Sequence, residues 1–294
     1  MNNREGNKKM HIAVLMTCFN RRQKTLEALA SLSAQRSVDH LEVTTILVDD
    51  GSQDGTSEAV TERFPGVVLL QGDGSLFWNG GMRKAFEYAL SIGFDGYLWF
   101  NDDTVLDEDA LHRLIACSDN ASLSSGPAIV VGSVRDPRTG ERSYGGVTRR
   151  VSKLRLDFVP TLPHQRNPVP CDTMNGNFTL IPALVAGQLG NLDNAFRHQL
   201  GDFDYGLRAT AAGIPVILAP GYYGSCSDNP QAGTWRDRSI SLSRRWRHLL
   251  SPKGAPLREW LLYTRRHFGW RWPLYALSPY LKTLLSVPKQ ATTL

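Results

Sequence analysis

Long apolar runs are missing from this chain. No stretch among its 294 residues approaches the roughly 18 to 20 consecutive apolar residues that a membrane-spanning helix needs, which excludes an integral helical membrane protein. The amino end, MNNREGNKKM, carries basic residues with no apolar block behind them, so residues 1–9 are expected to be disordered and not a secretory leader. Paired cysteines are missing too. Cys18, Cys117, Cys171 and Cys226 stand far apart with no C-x-x-C, which excludes a disulfide framework or zinc knuckle and points to a reducing, cytoplasmic compartment. Nothing matches G-x-x-x-x-G-K-[ST], so a P-loop is excluded. No internal repeat or low-complexity tract is present.

Acidic residues are scarce at the carboxyl end. From Trp235 onward twelve Lys and Arg face only Asp237 and Glu259, a net charge of +10, which leaves −5 on residues 1–234 of a chain that totals +5. A mildly acidic body thus carries a basic tail of different character. With 41% hydrophobic and 21% charged residues, the body has ordinary globular composition and enough chain to bury one large core or two modest ones.

What is present is an alternation of strand and helix signals over the first hundred residues. HIAVLMTCF, VTTILVDD, VVLLQ and GYLWFN are short apolar runs broken by polar residues. QKTLEALASLSAQ, the segment after GSQDGT and GGMRKAFEYALSIG carry helical periodicity. Asp54 or Ser52 is expected to cap the second of these helices, and Asp107 to start the EDALHRLIAC helix. The order predicts an α/β fold, a mostly parallel sheet sandwiched by helices, whose ligands bind beyond the carboxyl ends of the strands. Three polar clusters fall at such ends: TCFNR, DDGS and NDD. Farther on, IVVGSVRDPRTGERSYGGV predicts two strands joined by a turn, RLDFVPTLP and FTLIP short strands, GDFDYGLRATAAG a helix and IPVILAP a buried strand. The expected organisation is a nucleotide-sugar half (10–104), an acceptor and catalytic half of the same domain (105–234) and a basic helical extension (235–294).

Each polar cluster has a plain structural reading. Asp49, Asp50 and Ser52 suit a turn and a helix cap. Asp102 and Asp103 suit another cap, although adjacent carboxylates at the end of a buried run repel each other and favour a bound cation. Trp78 with Gly80 and Gly81 suits either a tightly packed helix or a sugar-stacking ring beside a helix start whose N–H groups attract an anion. Their coincidence at the ends of separate strands favours ligand binding.

Taken together, TCFNR, VDDGSQDGT, the NDD triplet and the distal GDFDYGLRA resemble the family 2 glycosyltransferases, over roughly residues 10–220. The resemblance implies a GT-A-like (Rossmann-like) fold and inverting transfer from a nucleotide-diphosphate sugar, UDP- or dTDP-linked. It implies that Asp50 meets the base with Thr17 and Phe19 as the other wall. Arg21, Trp78, Gly80, Gly81, Asp102, Asn175 and Gly176 would also line the donor site. Asp103, with Asp102 as ribose or second metal ligand, would bind Mg2+ or Mn2+, hard cations suited to carboxylate and phosphate oxygens. Repulsion between the two carboxylates would be relieved only when that cation arrives. Asp202 would be the catalytic base that takes the acceptor hydroxyl proton, with Asp204 and Arg208 as a supporting i, i+4 pair. Two departures stand out: Asn101 and Gly201 replace acids of the usual pattern, and YYGSCSDN offers Cys226 and Asp228 but no histidine as a further metal ligand. None of the seven histidines is assigned to catalysis.

Rhamnosyl, galactofuranosyl or glucosyl transfer to a cell-surface glycan or lipid-linked acceptor is what the resemblance implies. The tail mixes Arg and Lys with Trp and Leu, which suits an anionic membrane surface at the inner face of the plasma membrane more than nucleic acid, and no nucleic-acid partner is expected. Packing of the tail on the catalytic body or on a second subunit is the competing reading, and a homo-oligomer stays open. Two other functions remain: a sugar-phosphate nucleotidyltransferase, for which TCFNRRQK lacks the glycines, and a non-catalytic membrane adaptor with a decayed nucleotide site.

Overall fold

The computed structural model describes residues 9–36, 40–152, 155–228 and 232–286. The expected disorder of the first residues, and the tail's Lys289, lie outside the described residues except for Lys9. The first half runs β1 (Met10–Cys18), α1 (Arg22–Ser33), β2 (Leu41–Asp49), α2 (Thr56–Arg63), β3 (Val68–Gln71), α3 (Phe77–Ile92) and β4 (Gly96–Phe100). The second runs β5 (Val105–Leu106), α4 (Ala110–Ser125), β6 (Ile129–Arg135), β7 (Arg142–Tyr144), β8 (Gly146–Val151), β9 (Leu156–Pro160), β10 (Val169–Cys171), β11 (Thr173–Met174), β12 (Phe178–Pro182), α5 (Ala183–Leu189), α6 (Gly201–Ala211) and β13 (Val216–Ser225). Helices α7 (Leu242–Leu250), α8 (Leu257–His267) and α9 (Trp272–Leu285) follow.

The main sheet has the order β10-β13-β6-β12-β4-β1-β2-β3, with β5 on β13 and β7 on β6. Strands β1 to β4 pair in parallel, as do β6 and β13, while β12 runs antiparallel between β4 and β6 and joins the two halves into one sheet. Side chains of a strand alternate between faces, so a strand covered on both sides must be apolar throughout. Strand β1 shows this: Ile12, Val14 and Met16 meet α1 and α4 residues such as Leu29 and Leu114. Ala13 and Leu15 meet Met82, Phe86 and Tyr205 on the other face. A smaller sheet, β11-β8-β9, stands apart.

Helix α4 begins at Ala110, with Asp109 rather than Asp107 at its start, because Val105–Leu106 is drawn into the sheet against β13. Asp107 pairs instead with Arg135 (3.4 Å). Asp54 does serve the start of α2, accepting from the Thr56 N–H (3.2 Å).

The basic tail is docked along one side onto the body. A third core cluster joins Tyr263 and Phe268 to Leu156, Phe196 and Leu207. Polar ties reinforce it: Arg197 with Glu259 (2.7 Å) and the Tyr275 hydroxyl accepting the Leu156 N–H (2.5 Å). Fully buried Asp204 meets Arg208 (2.8 Å), Arg266 (2.6 Å) and His267 (2.8 Å). The expected Asp204–Arg208 pair is thus present and belongs to a larger network that reaches into α8.

Candidate active site

Loops at the carboxyl ends of β1, β2 and β4 meet in one place. The β1 and β2 loops are laced together: Asn20 N–H donates to Ser52 Oγ and Gln53 N–H to Asn20 Oδ1, both at 2.8 Å. The two acids of VDDGS divide the work. Asp49 builds the turn, accepting from the Ser52 N–H (2.9 Å) and the Ser57 hydroxyl. Asp50 turns the other way and accepts from the Gly74 N–H (2.9 Å) and Phe77 N–H (3.0 Å). Gly72 lets that loop close, since a Cβ there would lie 2.5 Å from Asp50 Oδ1.

These contacts correct the expectation for Gly80 and Gly81. Helix α3 starts one turn earlier, at Phe77, so the Gly80 N–H already donates to the Leu76 carbonyl (3.1 Å). The amides at the helix start are engaged, Phe77 by Asp50, Trp78 by His198 Nδ1 and Asn79 by the Arg197 carbonyl, and Gly81 is where α3 crosses β1, for a Cβ would overlap Thr17. Both glycines serve close packing rather than anion capture.

A cavity of about 200 Å³ opens between these loops, lined by Thr17, Phe19, Arg21, Asp50, Trp78 and Asp102, and also by His198 and Lys253. Phe19 stands half exposed at its mouth. The Trp78 indole N–H donates to Asn101 Oδ1 (2.7 Å), and its ring meets Trp99 edge to face. Asn101 therefore fixes the tryptophan, work that a carboxamide does without adding a third charge to the triplet. Gly176 lies against that ring, where a Cβ would be 2.6 Å from Trp78 Cζ2, and Asn175 Oδ1 accepts from the Gly145 N–H (3.4 Å).

The carboxylates that open the question of repulsion are already partnered. Arg21 Nη1 lies 3.0 Å from Asp102 Oδ1 and 2.9 Å from Asp103 Oδ2. A guanidinium, not only an arriving cation, offsets the like charges, which corrects the earlier expectation. Burial still pushes the Asp102 carboxyl up to about 7, with Arg21 opposing and Asp103 reinforcing the shift. The Cys226 thiol donates to Asp103 Oδ1 (3.4 Å), and burial, followed by the Asp103 charge, pushes that thiol up to about 12, so it stays protonated. At Asp228 the backbone N–H donates to Asp136 Oδ2 (2.9 Å).

Among the described residues, no group of three or more His, Cys, Asp and Glu is placed to hold a metal. Two adjacent carboxylates at a cavity edge nonetheless fit an ion that keeps several waters and takes further oxygens from substrate phosphates, the habit of Mg2+.

Asp202 sits in the first turn of α6. Its Oδ2 accepts from the Gly176 N–H (3.2 Å) and its Oδ1 from the Phe203 N–H (2.8 Å), while burial pushes its carboxyl up to about 6. Gly201 before it has a clear cause. A Cβ at that position would overlap Asn79 Oδ1, whose amide reaches across from α3 to donate to the Asp193 (3.0 Å) and Phe196 (2.6 Å) carbonyls. The missing acid is thus replaced by a side chain from another helix. His198 and Lys253 were missed from sequence because no motif marks them; His198 Nδ1 faces the Trp78 N–H at 3.4 Å.

A family model described as Glycosyl transferase family 2 matches residues 13–179, more than half of the chain and all three strand-end clusters. The chain belongs to that family. Its fold is GT-A-like. Galactofuranosyltransferase GlfT2 of Mycobacterium tuberculosis (strain ATCC 25618 / H37Rv) is 25% identical over 272 residues, covering 80% of this chain. The match spans only 42% of that protein's own length. Among solved structures, the mannosyltransferase PcManGT from Pyrobaculum calidifontis, in complex with GDP-Man and Mn2+, superposes with a TM-score of 0.54 at 16% identity, over 95% of this chain and 76% of that one. S. aureus TarS 1-349 in complex with UDP gives 0.57 at 13% identity, over 94% and 81%. At such identities these two share the fold.

Proposed function

We propose that this protein is an inverting, metal-assisted transferase that moves one sugar from a UDP- or dTDP-linked donor to a hydroxyl of a cell-surface glycan or lipid-linked acceptor. The observation that carries this reading is the convergence of Thr17, Phe19, Arg21, Asp50, Trp78 and Asp102 on one cavity beyond the ends of three strands. Phe19 and Asp50 flank the base, and Trp78, held by Asn101, faces the sugar. Asp103 and Asp102 would hold Mg2+ or Mn2+ together with the donor phosphates, and the ion when bound supplies Lewis-acid stabilisation of the leaving diphosphate. Arg21 would exchange one carboxylate for a phosphate oxygen, a charge-assisted contact of the same kind.

Asp202 is the base. Its carboxylate takes the acceptor hydroxyl proton while that oxygen attacks the anomeric carbon from the face opposite the diphosphate. Two N–H donors fix its orientation, and a carboxyl near 6 is ionised at neutral pH yet basic enough to accept a proton. The relative's name puts galactofuranosyl first among the candidate sugars.

The tail adds an anionic membrane contact to this reading, at the cytoplasmic face. Helix α9 packs on α7 and α8 and buries Ala276, Pro279 and Thr283, while Leu274, Leu277, Leu281 and Leu284 form an exposed stripe on a helix that also carries exposed Lys282. No helix among the described residues is long and apolar enough to cross a membrane.

Calorimetric titration of UDP, dTDP and GDP, with and without Mn2+, into wild type and Asp103→Ala tests the donor site. One diphosphate binding tightly, with loss on removing either Mn2+ or the Asp103 carboxylate, is the expected result. A folded sample that binds none of the three overturns the reading.

A further inference from the structure

The donor cavity has one wall that does not come from the family-matched segment. Lys253 stands in the turn between α7 and α8, about fifty residues beyond Asp202 in a region otherwise noted for its charge, yet it lines the same cavity as Arg21 and Asp102. The turn that carries it is firmly held. Gln199, next to His198, donates from Nε2 to the Lys253 carbonyl (2.5 Å). The Gly254 N–H donates to Ser251 (2.9 Å), and the Ala255 N–H to Leu249 (2.7 Å). The Tyr280 hydroxyl of α9 donates to the Ala255 carbonyl (2.7 Å). Gly254 is required by close approach, because a Cβ there would overlap the carbonyls of His248 and Leu249. A turn built this tightly presents its lysine from a fixed base.

The charge around Lys253 is also unusual. Among the described residues no carboxylate forms an ion pair with it, whereas the other cation in the cavity, Arg21, is spoken for by Asp102 and Asp103. His198 lines the same cavity and is pushed down to about 4, first by burial and then by the nearby Lys253 and Arg21 charges, so it faces the cavity as a neutral imidazole. Asp50 and Asp102 line the cavity as well, but neither pairs with Lys253 among the described residues, so its ammonium stays available to an incoming anion. A flexible ammonium with three donors is suited to the non-bridging oxygens of a phosphate.

Resting on the donor-site reading above, we infer that Lys253 binds the donor diphosphate, and that the carboxyl-terminal helices are therefore part of the donor site as well as a docking element. It supplies positive charge at a centre where the protein offers a divalent ion two carboxylates and no histidine. Lys253 touches donor in both the ground state and the departing diphosphate, so its loss weakens diphosphate affinity first.

The test compares UDP with uridine, or the matching pair for whichever base wild type prefers, in calorimetric titrations of wild type, Lys253→Met and Lys253→Arg, each with Mn2+ and with EDTA. Loss of a charge-assisted phosphate contact predicts about tenfold or greater weakening for the diphosphate in Lys253→Met. The nucleoside should change less than twofold, and Lys253→Arg should recover most of the loss. Thermal melts establish that the variants are folded. Unchanged diphosphate binding in Lys253→Met overturns the inference, and so does equal weakening for diphosphate and nucleoside, which would mean a change in cavity shape. Wild type that binds neither would instead bring down the donor-site reading itself.

Discussion

Asp202→Asn should cost activity and add stability at alkaline pH. Asp202 is raised from 3.8 to about 6 by burial. At about 1.4 kcal/mol per pH unit, that corresponds to about 3 kcal/mol of penalty on the ionised form. The side chain keeps partial solvent contact, which brings the figure nearer to about 2 kcal/mol after screening. Asparagine removes the charge, but its carboxamide can accept from only one of the Gly176 and Phe203 N–H groups, a loss of about 1 kcal/mol. The net expectation is about 1 kcal/mol of added stability at pH 8, or about 2 to 4 °C in melting temperature. The sign with pH follows from the raised value. The native state holds the Asp202 proton more tightly than the unfolded chain, so its contribution favours folding in acid and is lost as pH rises through about 6. The variant's advantage should therefore vanish near pH 5. Transfer, measured as release of the nucleoside diphosphate with acceptor present, should fall by about 100- to 10,000-fold in the variant. In wild type it should fall away below about pH 6 as the base is protonated. A variant that melts lower than wild type at pH 8, or that keeps its activity, would refute the reasoning.

Two further outcomes are expected. Gly201→Ala forces a methyl group onto Asn79 Oδ1 and should destabilise the fold by about 1 to 3 kcal/mol in urea denaturation. Combined with Asn79→Ala the cost should be less than the sum of the single changes, and strict additivity would dismiss the contact. Leu277→Glu with Leu281→Glu should reduce pelleting with anionic liposomes at least tenfold, given about 1.5 to 3 kcal/mol for each leucine buried. Added salt should weaken the wild-type interaction as well. Wild type that stays in solution at low salt would end the membrane reading.

The sheet was legible because its strands are buried on both faces and so appear as unbroken apolar runs, such as Ile12–Met16 and Tyr97–Phe100. Reversal of β12 between β4 and β6 left no local mark, since an antiparallel strand in a covered sheet is as apolar as a parallel one. The site was legible where residues cluster at strand ends, which is how Arg21, Asp50, Trp78 and Asp102 come to share one cavity. Partners set by long-range folding were not. Nothing in TCFNR announces that Arg21 bridges two carboxylates eighty residues away, or that Asn101 exists to hold Trp78. Gly201 looked like a decayed acid and proves to be half of a pair whose other member, Asn79, lies on α3. Charge alone marked the tail, but its inner side spends Glu259, Tyr263, Arg266 and His267 on the body, while the leucine stripe of α9 stays exposed.

The most direct test of the donor site is an anomalous difference map of the protein crystallised with Mn2+ and its preferred nucleoside diphosphate. The expected result is a single manganese peak at coordination distance from the Asp103 carboxylate and the diphosphate, with Arg21 drawn from at least one of its two carboxylates to a phosphate oxygen. A diphosphate bound elsewhere, or bound here with no manganese and Arg21 still bridging Asp102 and Asp103, would contradict it.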